Sequence, residues 1–365
     1  MTIHLISASL WPHFALRNRP SQRLTLASAG AKLFSTSKMM LGKPQVTLVS
    51  PQEVQAHGLG NYTMLDSSFH LPNSGRSAAD EFTRGPRLPH ARLFDHELIA
   101  DPSYTVSPDS NTKLGHMQPD QPTFKSHMQR LGLARDDHLL VYDSVGIFSA
   151  PRAAWLLNAY GHPKVSVLDG GLPRWIKENC PVETGPPIEP KESEYDLAGF
   201  DESVAREKVV SYAHLVRNFK DTPDEQRMTV FDARPRGRFL GTDPEPRPGL
   251  SSGHMPNSVS LPFTCLLTQP SESEPYRKYL SPDRLEQVFL DVLNHDHAKW
   301  EKIKQGQSGV IVSCGSGMTA CIIWLALRLA NPSAPQLVKL YDESWTGYAL
   351  RKDAQIIKQS VNAAA

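Results

Sequence analysis

Short apolar runs suited to buried strands recur along the chain and alternate with longer apolar stretches at helical spacing. Residues 47–49, 62–65, 139–142 and 165–168 fit strands, while residues 150–160 and the pair Trp175 and Ile176 fit helices. Strands alternating with helices predict an α/β fold in which a parallel sheet is flanked by helices on both faces. The run Val310-Ile311-Val312-Ser313 belongs to the same series and ends in Cys314, followed by Gly315-Ser316-Gly317-Met318-Thr319 and an apolar helical run over residues 319–330. This order places a cysteine at the carboxyl end of a strand and at the mouth of a helix, where parallel α/β sheets open their ligand crevices. Inward-pointing backbone N–H groups and the helix N-terminus would there form a cradle for an anion, the nearest being the Cys314 thiolate. A free cysteine of pKa about 8.5 is only a few per cent ionised at neutral pH, and a shift of about two units makes the thiolate the majority form. From the cysteine alone, a small buried hydrophobe is the better fit, and the bracketing glycines with Ser316 bring the reactive reading level with it.

The pattern is duplicated. Met64-Leu65-Asp66-Ser67 matches Val230-Phe231-Asp232-Ala233 at an offset of 166, and Leu88-Pro89-His90-Ala91 matches Met255-Pro256-Asn257-Ser258 at 167. Val141-Tyr142-Asp143 matches Val312-Ser313-Cys314 at 171, and Leu168-Asp169-Gly170-Gly171 matches Tyr341-Asp342-Glu343-Ser344 at 173. So small a drift predicts two copies of one domain with minor insertions. The first copy carries Asp143 where the second carries Cys314, so loss of a nucleophile in one copy leaves the second loop reactive. A Pro-, Glu- and Gly-rich stretch after Cys180 reads as a semi-extended linker. The expected organisation is a presequence over residues 1–44, a first domain over 45–182, a linker over 183–206 and a second domain over 207–365.

Composition narrows the partners. With 39 basic and 38 acidic residues among 365, the net charge of +1 gives no reason to expect nucleic acid or an anionic membrane. No stretch approaches the roughly 18 apolar residues of a membrane span. Four scattered cysteines (Cys180, Cys265, Cys314 and Cys321) form neither a disulfide framework nor a zinc site, which points to a reducing compartment. His295 and His297 beside Asp296 fit a solvated helix end better than a metal site, and Cys321, two helical turns after Cys314, fits the core. No acidic residue precedes Glu53, whereas Arg17, Arg19, Arg23, Lys32, Lys38 and Lys43 do, among several serines. That is the composition of a mitochondrial transit peptide, and Met39 or Met40 could start a cytoplasmic form without it.

Taken together, these residues resemble the rhodanese family: tandem α/β domains with one active cysteine in the second copy. The resemblance rests on residues 314–319, on Asp232-Ala233-Arg234-Pro235-Arg236-Gly237-Arg238-Phe239-Leu240-Gly241-Thr242 and on Gly253-His254-Met255-Pro256-Asn257-Ser258. In the first domain it rests on Phe148-Ser149-Ala150-Pro151-Arg152-Ala153-Ala154-Trp155 and on residues 167–175. It implies a sulfurtransferase that carries sulfur as a persulfide on Cys314, with no metal or organic cofactor. A Cys-Gly-Ser-Gly loop is the type found with 3-mercaptopyruvate as donor, whereas thiosulfate enzymes generally place basic side chains directly after the cysteine. Met318 stands where valine is usual. The resemblance further implies that Arg238 and Arg247 hold the donor's carboxylate and keto group. It assigns loop contacts to Gly315, Gly317, Met318 and Thr319, and proton handling to Ser316 and Asp66 beside Cys314. Read structurally, Asp66 equally fits a carboxylate capping a turn. Arg87 stands where relatives often have histidine. The implied partners are a small-molecule sulfur donor and a thiol acceptor such as thioredoxin, or cyanide. A thiosulfate-preferring enzyme, a non-catalytic rhodanese-like binding module and a cysteine-dependent phosphatase are the alternatives. The last expects a longer loop closed by an arginine, and Thr319 and Ala320 stand near that place.

Overall fold

The apolar runs assemble into two parallel sheets. The structure is a computed structural model that describes residues 44–106, 112–332 and 337–359, so the expected presequence falls outside the described residues apart from residue 44. The first sheet contains β1 (Gln45–Val49), β2 (Thr63–Asp66), β3 (Arg92–Leu93), β4 (Leu139–Tyr142) and β5 (Lys164–Leu168), in the order β1-β5-β4-β2-β3. The second contains β6 (Thr229–Asp232), β7 (Ser258–Ser260), β8 (Val310–Ser313) and β9 (Val338–Leu340), in the order β7-β6-β8-β9. The duplication holds at the level of register: Thr63 pairs with Leu139 as Thr229 pairs with Val310, and Leu139 with Val165 as Val310 with Val338. A slip of one residue would turn every side chain to the opposite face, so matching register means matching cores. The second sheet has only a vestige of β1, a single bridge between Val209 and Leu340.

The helices that leave β4 and β8, Ala150–Ala159 and Ala320–Ala330, are buried almost all round. They pack on each other, so one apolar core runs through both halves, from Leu65 and Phe124 to Phe231 and Leu325. Two carboxylates reach across as counterparts. Asp342, after β9, accepts the N–H of Gln118 at 2.7 Å, and Asp169, after β5, accepts the N–H of Tyr279 at 3.0 Å. The stretch expected to be a spacer is packed in part: Tyr195 and Leu197 are buried in the core, and the Tyr195 hydroxyl meets His162 Nδ1 at 2.7 Å. Burial of an aromatic side chain outweighs the extended preference of the surrounding prolines.

Candidate active site

Cys314 is the first residue past β8 and is only 1% exposed. Its N–H donates to Ser344 Oγ at 3.0 Å, and its carbonyl accepts the Trp345 N–H at 2.9 Å. Ser344 Oγ also donates to the Tyr341 carbonyl at 2.9 Å and lies 3.9 Å from Cys314 Sγ. Ser344 sits at φ 50°, in the left-handed region that non-glycine residues rarely occupy. The next loop carbonyl, of Gly315, accepts the Thr346 N–H at 3.0 Å and its hydroxyl at 2.7 Å. Gly317 adopts φ 84°, and a Cβ there would stand 2.8 Å from both the carbonyl and the carboxylate of Asp342. Residues 341–346 thus fix the cysteine loop from below, and glycine at 317 is a packing requirement.

What the loop holds is visible in its first-domain copy. Asp143, at the place of Cys314, accepts five backbone N–H groups through its carboxylate. Val145 at 3.0 Å and Gly146 at 2.9 Å bond one oxygen; Phe148 at 2.9 Å, Ser149 at 3.0 Å and Ala150 at 2.9 Å bond the other. At the offset of 171 the matching donors are Ser316, Gly317, Thr319, Ala320 and Cys321. The last is taken by the Met318 carbonyl, while the N–H groups of the other four have no acceptor among the described residues. These four donors, with the dipole of the Ala320–Ala330 helix behind them, are arranged for an anion on Cys314.

The charges around the loop come from both domains. Glu245 is held by Arg234, itself buried against Asp232 and over the Trp345 ring, and in turn holds Arg238, with Arg238 Nε at 3.0 Å. Arg238 Nη2 lies 3.3 Å from where a Cβ of residue 315 would be, so the space that a basic side chain after the cysteine would take is filled by Arg238. Arg247 is half-buried, and its side chain has no hydrogen-bond or ion-pair partner among the described residues. It is close enough to His116 for its charge to help keep that imidazole neutral. Burial first, then Arg152 and Arg247, push His116 down to about 3. His116 Nδ1 is buried without a partner, and its ring meets the Phe69 ring edge-on at 4.5 Å. Arg152 completes the floor by donating to Asp342 Oδ1 at 2.6 Å across the domain boundary.

The other residues singled out in the sequence fall as follows. Met318 is buried, and Ser316 and Thr319 are half-buried at the loop mouth. Asp66 is buried at the end of β2, where its carboxylate accepts the N–H of Ser68 at 3.0 Å and the Ser68 hydroxyl. No hydrogen bond among the described residues joins it to Cys314 or Ser316. Burial is the main cause that raises it to about 6, against the Ser68 and Tyr142 hydrogen bonds. Arg87 bonds the carbonyls of Phe82 at 3.1 Å and Gly185 at 2.6 Å, stitching the first domain to the stretch that follows it. Cys321 is fully buried, which pushes its thiol up to about 12. Among the described residues no group of three His, Cys, Asp or Glu side chains could hold a metal ion, and no helix is long and apolar enough to cross a membrane.

Sequence reasoning passed over Ser344, His116 and Arg152 as site residues. Ser344 ends the repeat that pairs Asp342 with Asp169, and Arg152 lies in the segment around Ala150-Pro151, so both carried a signal. His116 stands in a polar loop and carried none.

The Rhodanese-like domain family matches residues 77–178 and 215–351. The chain belongs to the rhodanese family. Both copies of the family's domain are therefore present, each a parallel sheet flanked by helices. The 3-mercaptopyruvate sulfurtransferase of Mus musculus is 33% identical over 80% of this chain and 87% of its own length, and that of Escherichia coli (strain K12) is 35% identical over 80% and 91%. The crystal structure of the Tum1 protein from Saccharomyces cerevisiae superposes with a TM-score of 0.71 at 30% identity, covering 87% of this chain and 99% of that one. This rhodanese-family chain is a sulfurtransferase.

Proposed function

We propose that the donor is 3-mercaptopyruvate and that sulfur travels as a persulfide on Cys314. The observation that carries this reading is the division of charge. The residues after the cysteine, Gly315 and Ser316, are uncharged, while two arginines follow β6: Arg238, in the helix Arg236–Leu240, reaches the place of a side chain at 315 and is braced by Glu245, and Arg247 stands unpaired near His116. A planar guanidinium fork suits a carboxylate with a neighbouring keto oxygen. The Cys314 thiolate attacks the donor's sulfur, the carbon–sulfur bond breaks, and its electron pair leaves on carbon as the enolate of pyruvate. Protonation of that carbon releases pyruvate. The free N–H groups of Ser316, Gly317, Thr319 and Ala320 stabilise the sulfur anion before and after transfer, and the Ser344 hydroxyl lies beside it.

We assign proton handling to Ser316 at the loop mouth, fed by Asp66 through rearrangement of its present Ser68 partnership. His116, neutral and half-unsatisfied beside Arg247, is the second candidate from the first domain. Gly315, Gly317, Met318 and Thr319 shape the pocket. A thiol acceptor such as thioredoxin, or cyanide, then takes the outer sulfur. No metal or organic cofactor enters, because Cys314 itself carries the transferred group. The Arg-rich, acid-free start of the chain supports mitochondrial delivery, with Met39 or Met40 as a second start. The thiosulfate reading is supported by a relative named thiosulfate sulfurtransferase in Saccharomyces cerevisiae, 31% identical over 87% of this chain, and by one named thiosulfate/3-mercaptopyruvate sulfurtransferase in Arabidopsis thaliana, 31% identical over 92%. Comparing kcat/KM for the two donors tests the choice: a preference for thiosulfate would overturn it.

A further inference from the structure

The floor of the Cys314 loop is a buried ion pair made by two domains. Arg152 is 1% exposed and comes from the first turn of the Ala150–Ala159 helix of the domain that lacks the nucleophile. Its Nη1 donates to Asp342 Oδ1 at 2.6 Å, its Nη2 donates to the His116 carbonyl, and its guanidinium lies 4.7 Å from the Trp155 ring centre. Burial opposes the charge, and Asp342 and Cys321 together more than offset it, so the guanidinium stays ionised.

Each contact leads to one wall of the crevice. Asp342 packs under Gly317, with both its carbonyl and its carboxylate 2.8 Å from the position a Cβ there would take, and Arg152 Nη1 is 3.5 Å from the same point. On the other side, the His116 carbonyl that Arg152 grips belongs to a residue held at φ 68°, whose imidazole packs edge-on against Phe69 and is near enough to feel the charge of Arg247. One guanidinium therefore fixes the cysteine loop in one domain and the imidazole wall in the other.

The internal duplication supplies a control. The counterpart of Asp342 is Asp169, which likewise accepts a backbone N–H from across the boundary but takes its arginine, Arg174, from its own domain at 2.8 Å. The counterpart of Arg152, at the offset of 171, is Ile323. The latch is common to both halves; among the described residues, the arginine hydrogen-bonded to its carboxylate crosses the boundary only on the side of the nucleophile, while Asp169 feels Lys278 of the other domain by charge alone.

We infer that Arg152 is a positioning residue for sulfur transfer, setting the Cys314 loop through Asp342 and the opposing wall through His116. This rests on the sulfurtransferase reading for its rate effects, though not for its effect on Cys314 itself. Displacement of a reacting group by about 1 Å costs roughly a hundredfold in rate. The test uses the full chain with Arg152→Lys, which keeps the charge and loses the fork, and the double variant Arg152→Met with Asp342→Asn, which leaves no unpaired buried charge and keeps an acceptor for Gln118. Two readouts are taken after near-UV circular dichroism has established folding. They are mercaptopyruvate kcat and KM, and the pH profile of Cys314 alkylation by iodoacetamide, followed by mass spectrometry of the Cys314 peptide.

The inference predicts a roughly hundredfold fall in kcat/KM for the folded double variant. It predicts an alkylation midpoint raised by about one pH unit, since the loop's N–H donors lose their aim at the thiolate. Should the double variant not fold, Arg152→Lys decides on the same readouts, with about a tenfold loss expected. A folded variant within about threefold of wild type, with an unmoved alkylation profile, overturns the inference. The alkylation profile needs no substrate, so wild-type protein inactive with every sulfur donor would sink the proposed function while leaving this test intact.

Discussion

Asp143 and Cys314 occupy the same place in two copies of one loop, and the carboxylate of Asp143 gathers five backbone N–H groups that its counterpart leaves largely free. The first domain keeps its anion permanently as a side chain. The second presents the same donors to a thiolate and to the sulfur it receives.

Removing the permanent anion should unravel the first loop. Asp143→Ala leaves five buried or half-buried N–H groups without acceptors, each costing about 1 kcal/mol or more. We expect a loss of at least about 3 kcal/mol by urea unfolding, with Asp143→Asn intermediate because one oxygen remains.

The two arginines should separate the donors. Arg247→Ala removes an unpaired cation beside the crevice, and mercaptopyruvate kcat/KM is expected to fall about a hundredfold or more, as for a charge-assisted bond of 2–3 kcal/mol. Thiosulfate turnover should fall by less than about a tenth of that factor. Equal losses would remove Arg247 from carboxylate recognition.

Gly317→Ala tests the fit between the loop and its floor. The new Cβ meets Asp342 at 2.8 Å in a backbone conformation of φ 84°, so it costs about 1–3 kcal/mol of strain. Mercaptopyruvate activity should be nearly abolished while the far-UV spectrum is kept. Full activity would mean that the loop is not held as described.

Asp66 makes a pH-dependent prediction that also tests its role. Its folded pKa of about 6 lies well above the ordinary carboxylate value, because burial disfavours the charge, so its folded form favours the proton. Its contribution is present below about pH 4 and lost as pH rises through 6, leaving a cost of about 3 kcal/mol at neutral pH. Asp66→Asn retains the acceptor for Ser68 and removes the charge. It should stabilise the protein near pH 7 and change little near pH 4, as read by denaturant midpoints. Turnover decides the rest: a loss of about a hundredfold is expected of a proton relay, and unchanged turnover would reduce Asp66 to a cap.

Much of this was legible in the chain. The offsets of 166, 171 and 173 foretold the register of β2 with β4 and of β6 with β8, because repeating apolar patterns bury the same faces. Strands β3 and β7 were not legible, since two or three residues carry no periodicity. Cys314 and the glycines around it were visible because a strand, a turn and a helix meet there within ten residues. Ser344, 30 residues away, and His116, in the other domain, reach the site only through tertiary packing, which no local pattern records.

The central claim is that Cys314 carries the sulfur, and intact-mass spectrometry after adding 3-mercaptopyruvate tests it most directly. Wild-type protein should gain the mass of one sulfur atom, lose it on adding a thiol or cyanide, and show no gain in Cys314→Ser. A gain that survives in Cys314→Ser, or no gain in the wild type, would contradict the account.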